Sequence, residues 1–143
     1  MIELETPKIK KSLPKYLTLN QSVDLLESID GNNRERDYCI ITLFLNCGLR
    51  LSELVGLNLS DVFDNNTMRV LGKGNKERTI YLNSACVSAI NDYLAIRSYD
   101  EDVKDKNALF LSRFKKRISP KTVQHIVNSF IEKAGLGGRG LST

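Results

Sequence analysis

The 143-residue sequence predicts a mainly α-helical domain with a small β-hairpin or three-stranded sheet, an α+β fold. Three observations carry that expectation. Apolar residues recur at helical spacing in several segments that have recognisable start and stop residues. Two short alternating runs flank a polar, glycine-rich turn, the pattern of a hairpin. The length suits one domain with a single core.

Residues 1 to about 15 (MIELETPKIKKSLPK) mix charge with two prolines and show no periodicity, so they read as a tail or linker ahead of a domain over 16–143. Thr18 and Gln21 have capping-box spacing, and Leu19, Val23 and Leu26 share one helical face. Gly31, Asn32 and Asn33 end that helix. Asp37 opens a segment, DYCIITLFLNCG, that is apolar nearly all round, which suits a central buried helix stopped by Gly48. A short leucine-rich stretch follows, LRLSELVGLNLSDV. The runs Met68 to Leu71 and Arg78 to Leu82, joined by GKGNKE, predict the hairpin.

Asn83 or Ser84 can cap a further helix with Cys86, Ile90 and Tyr93 on one side. Ala108 to Leu111 reads as one more short strand. Ser119-Pro120 is an N-cap followed by a first-turn proline. The helix it starts carries the stripe Val123, Ile126, Val127, Phe130 and Ile131, closed by Gly135.

With 41% hydrophobic and 27% charged residues, wholesale disorder is excluded. The net charge of +4 favours an anionic partner without identifying one. The three cysteines, Cys39, Cys47 and Cys86, lie in apolar segments without CxxC spacing, and there is one histidine. Neither a zinc site nor a disulfide framework fits; buried free thiols in a reducing cytosol are expected. No run approaches the length of a membrane span and no signal-peptide pattern opens the sequence, so a cytoplasmic protein without membrane contact is predicted.

Two clusters have chemical potential. In Gly48-Leu49-Arg50-Leu51-Ser52-Glu53-Leu54, leucines flank an arginine between two helices and restrict its rotamers. A guanidinium so held can grip two non-bridging phosphate oxygens as charge builds on them. Glu53, three residues on, is placed to hold Arg50; a plain surface ion pair between the two is the bland alternative. The second cluster is the turn Gly72-Lys73-Gly74-Asn75-Lys76-Glu77-Arg78, whose glycines permit close backbone approach. It is equally a solvated turn dressed in charge, and it lacks the spacing of a Walker A loop.

In this order, NCGLRLSELVGLNLSDV followed by VLGKGNKERTIYL closely resembles the tyrosine recombinases, or phage integrase family, and their Xer-like members most of all. The resemblance runs from about Leu13 to Thr143. It implies the recombinase catalytic-domain fold and DNA breakage and rejoining through a 3′-phosphotyrosyl link, with no metal or other cofactor. The implied partners are double-stranded DNA and, for the complete protein, fellow protomers of a tetrameric synapse. Arg50 matches the family's first arginine, which stabilises the phosphorane, and Lys73 the hairpin lysine, which protonates the leaving 5′-oxygen. Glu53 matches a supporting acidic position. Lys76 competes with Lys73 for its role, and Lys76 and Arg78 otherwise belong to the DNA-facing surface. Ser119, Lys121 and Thr122 start the helix that corresponds to one entering the major groove.

The family's His-x-x-Arg does not occur: His125 is followed by Ile126, Val127 and Asn128, and is expected to be structural or DNA-facing. The five tyrosines, at 16, 38, 81, 93 and 99, precede the place where that motif belongs, so none is expected to be the nucleophile. The sequence is therefore expected to be an incomplete catalytic domain, inactive by itself. A non-catalytic DNA-binding remnant that modulates a full-length recombinase, and an unrelated helical regulator, are the alternatives.

Overall fold

In the computed structural model, residues 33–133 are described. The expected linker over 1–15, the helix from Thr18 and the final LGGRGLST loop lie outside them. Helix α1 spans Arg34–Cys47, with Asn33 as its N-cap residue. Gly48 ends α1 in the left-handed conformation (φ 63°), which glycine adopts without the Cβ clash of other residues. Residues Cys39 to Phe44 are all buried, as an apolar run without a polar face requires.

Helix α2 is the single turn Leu51–Val55, followed by a 3₁₀ turn at Leu59–Asp61. Strands β1 (Thr67–Leu71) and β2 (Glu77–Tyr81) pair antiparallel, with Val70 opposite Arg78. Met68 and Val70 point into the core from β1, whereas β2 is largely exposed, so the hairpin lies on the domain as a flap. Helix α3, Ser84–Ile96, packs against α1 and buries Cys86, Ile90 and Tyr93, the side read from periodicity. Helix α4, Pro120–Lys133, packs against α2. Its Val123, Ile126 and Val127 are buried, and Phe130 and Ile131 pack partly buried against the same core.

The strand expected at Ala108 to Leu111 does not form, and the sheet among the described residues has two strands. Ala108 bridges to Asn58 and Leu111 to Arg117, each as an isolated pair. A buried arginine takes up two of the carbonyls that a strand partner would otherwise use. Arg97, 4% exposed, donates from its guanidinium to the carbonyls of Ala108 (2.5 and 3.2 Å), Leu109 (3.2 Å) and Ser98 (2.8 Å). Carbonyls so occupied have no need of a neighbouring strand. Arg117 acts similarly from the other end of the loop. It donates to Val55 O (2.9 Å), Leu57 O (3.1 Å) and the Asn58 amide oxygen, and it pairs with Asp105 (3.0 Å). Together they fix the irregular chain between α3 and α4.

Candidate functional site

Arg50 is the N-cap residue of α2, two positions beyond the left-handed Gly48. Leu49 (3% exposed), Leu51 (8%) and Leu54 (0%) are buried around it, so its backbone cannot shift without disturbing the core. Arg50 itself is half-buried.

Glu53 organises what surrounds it. Its carboxylate is 5% exposed and accepts the Arg50 backbone N–H at 2.9 Å. The same carboxylate accepts two guanidinium N–H groups of Arg78, at 2.8 and 3.2 Å. The expectation that Glu53 steadies Arg50 thus gains a definite route, through the main chain. Glu53 is not a solvated surface carboxylate: it is buried, and β2 supplies a guanidinium to it.

The hairpin presses on Glu53 from a second point. A Cβ on Gly72 would lie 3.0 Å from Glu53 Oε2, close enough that the carboxylate would have to give way by a few tenths of an ångström. The closeness that glycine permits is therefore used for this carboxylate. Asp61 repeats the device. It accepts the Asn58 N–H at 2.8 Å and two N–H groups of Arg69 on β1, at 3.0 and 2.8 Å. Each strand is consequently clamped by a buried carboxylate in the first turn of a short helix. The doubly hydrogen-bonded arginines fix orientation as well as distance.

The clamped hairpin presents the turn Lys73-Gly74-Asn75. Gly74 takes φ 71° and Asn75 φ 61°, and Asn75 N–H closes the turn on Gly72 O at 3.1 Å. Lys73 and Lys76 are both exposed at its tip. Arg78, read from sequence as a DNA contact, gives two N–H groups to Glu53 while its side chain remains 46% exposed.

The other predicted residues lie on α4. Ser119 Oγ accepts the Thr122 N–H at 3.1 Å and donates to Thr122 Oγ1 at 2.9 Å, so both hydroxyls take part in capping the helix. Lys121 in that first turn is exposed, and so is His125. Among the described residues no group of three or more His, Cys, Asp and Glu side chains is arranged to hold a metal ion. No helix among them is long and apolar enough to cross a membrane.

Sequence reasoning named Glu53 and Arg78 without joining them, and it missed Asp61 with Arg69. The pattern Asn58-x-x-Asp61, a cap residue with an acid three positions on, was the available signal. Glu53→Ala should destabilise the fold by about 2 kcal/mol, roughly one from the lost cap and up to about one from the half-exposed ion pair. A urea-unfolding cycle with Arg78→Met should show about 0.5–1 kcal/mol of coupling. Strictly additive losses would mean that the clamp contributes nothing.

Residues 15–140 match the Phage integrase family. The chain is 59% identical over 140 residues to tyrosine recombinase XerC of Caldanaerobacter subterraneus subsp. tengcongensis, covering 98% of the chain and 39% of the relative. With XerC of Corynebacterium glutamicum the identity is 37%, over 93% of the chain and 44% of the relative. Among solved structures, XerA recombinase superposes with a TM-score of 0.75 at 26% identity, covering 90% of this chain and 46% of that one. XerH recombinase, bound to a palindromic difH substrate in a post-cleavage complex, gives 0.71 at 25% identity, with 90% and 38% covered. The chain thus spans less than half the length of these relatives. With the match extending over nearly all of its residues, the chain belongs to the phage integrase family of tyrosine recombinases.

Proposed function

We propose that this chain is the phosphate-gripping part of a site-specific DNA recombinase. In the complete reaction a tyrosine oxygen attacks the scissile phosphorus, the bond to the 5′-oxygen breaks, and the tyrosine is left esterified to the 3′-phosphate. Arg50 grips the non-bridging oxygens and stabilises the negative charge of the phosphorane. Lys73 gives its proton to the departing 5′-oxygen. Glu53 and Arg78 are positioning residues, and Ser119, Lys121 and Thr122 bring the start of α4 to the duplex. The complete recombinase would act within a tetrameric synapse.

The observation that carries this reading is the shared carboxylate. Glu53 accepts the backbone N–H of Arg50 and the guanidinium of Arg78 on the hairpin that carries Lys73, so the backbones bearing both cationic residues are anchored to one carboxylate. Solvated charge would not need a buried anchor on a loop tip. XerH, which has the same fold, was captured on its DNA after cleavage.

Three of the four described tyrosines, Tyr93, Tyr99 and Tyr81, are poorly placed for nucleophilic attack. Tyr93 is 2% exposed, accepts the Leu111 N–H, and burial pushes its hydroxyl up to about 12. Tyr99 donates to Leu94 O at 2.8 Å. Tyr81 lies at the far end of β2, four residues or about 13 Å beyond Glu77.

A nicked duplex with a phosphorothiolate leaving group, incubated with the 143-residue chain, should give no covalent protein–DNA adduct. Fluorescence anisotropy on the same duplex should show weak binding that falls steeply with salt, as phosphate contacts release counterions. An adduct would overturn the assignment of the nucleophile elsewhere. Absence of binding even at low salt would overturn the DNA-gripping role.

A further inference from the structure

Away from the Glu53 clamp, the sulfur atoms of Cys47 and Cys86 lie 3.8 Å apart. Cys47 is the last residue of α1 and Cys86 lies in the first turn of α3, so the pair spans two packed helices. Their neighbours are clipped together as well. Asn83 accepts the Cys86 N–H at 2.9 Å and donates from its amide to Asn46 Oδ1 at 3.0 Å. This arrangement holds the sulfurs in register. Their access differs, because Cys86 is fully buried whereas Cys47 is half-buried and can be reached from solvent. The shared hydrogen bond lowers the Cys86 thiol below its ordinary range and, together with burial, raises that of Cys47, so Cys86 is placed to accept the Cys47 proton as the more accessible Cys47 sulfur reacts.

We propose that Cys47 and Cys86 are a reversible oxidation site, closing to an intramolecular disulfide on meeting a hydroperoxide or a small disulfide of the glutathione type. With a hydroperoxide, the Cys47 sulfur takes the terminal oxygen as the O–O bond breaks, giving a sulfenic acid and an alcohol. Cys86 sulfur then attacks Cys47 sulfur and expels hydroxide, which leaves as water with the Cys86 proton. The oxidant gains two electrons and the thiols lose two. With oxidised glutathione, Cys47 forms a mixed disulfide and releases one glutathione thiol, and Cys86 displaces the second. Closure draws the sulfurs from 3.8 Å to a bond of about 2 Å. It would tie the end of α1, three residues ahead of Arg50, to α3.

The test exposes the 143-residue chain to oxidised glutathione or hydrogen peroxide, blocks remaining thiols with iodoacetamide and maps the peptides by mass spectrometry. The expected result is a Cys47–Cys86 linked peptide lighter by two hydrogens, reversed by dithiothreitol and retained in Cys39→Ser. Cys47→Ser and Cys86→Ser should lose it. A glutathione adduct that persists on Cys47 beside a free Cys86 thiol would overturn the proposal. So would links only between chains, or a link that uses Cys39. The wild-type peptide map decides the matter even where the buried Cys86 variant fails to fold.

Discussion

Arg50→Ala should lower DNA cleavage by about 10²–10³-fold in a chimera where residues 15–140 replace the matching segment of the Caldanaerobacter XerC recombinase. The magnitude is that of removing one preorganised donor from a developing oxyanion, and it follows from the proposed contact with the phosphorane. DNA affinity should fall by roughly tenfold at most, since one phosphate contact among several is lost. Arg50→Lys should recover little, because an ammonium cannot form the planar two-point grip. The separation of cleavage from binding is what distinguishes this role from a structural one. Suicide-substrate trapping and anisotropy on the same preparations measure both, and wild-type cleavage by Arg50→Ala would refute the assignment.

The largest loss of stability is expected at a residue remote from that chemistry. Arg97→Met should cost about 3–5 kcal/mol, because it leaves at least two buried carbonyls unsatisfied at roughly 1–3 kcal/mol each. Methionine fills much of the same volume, yet it leaves the carbonyls of Ala108 and Leu109 without their donors. Against a total stability of about 5–15 kcal/mol for a domain, that is a severe loss. Urea unfolding gives the magnitude, and hydrogen exchange should show protection lost first over residues 98–118. A cost below about 1 kcal/mol would mean that water replaces the guanidinium readily.

Arg97 also marks where local sequence reading fails. The helices and the hairpin were legible because their information is periodic and local: the apolar run ended by Gly48, the Asn83 cap, the stripe from Val123 to Ile131. The apolar run Ala108 to Leu111 has the composition of a strand. The carbonyls of Ala108 and Leu109 are satisfied from eleven and twelve residues away, and no spacing rule records that. The candidate site divides the same way. Arg50, Glu53 and Lys73 could be named from their motifs. The pairing of Glu53 with Arg78, 25 residues apart, depends on how the hairpin folds back. Ser119 and Thr122 could be placed at a helix start, but sequence did not reveal that they bond to each other.

The bonds from Arg117 to Val55 and Leu57 have a consequence in time. They close over about 60 residues of chain, so those carbonyls find no guanidinium until residue 117 has left the ribosome. At roughly 5–20 residues per second, the gap lasts on the order of 3–12 s. Arg50 precedes this gap, and the whole hairpin is made within it. Helix α4, which packs on α2, has yet to be made. The α2 end of the described residues, which would hold the phosphate, therefore waits for α4, and a chaperone or an early misfold would meet it with that support still missing.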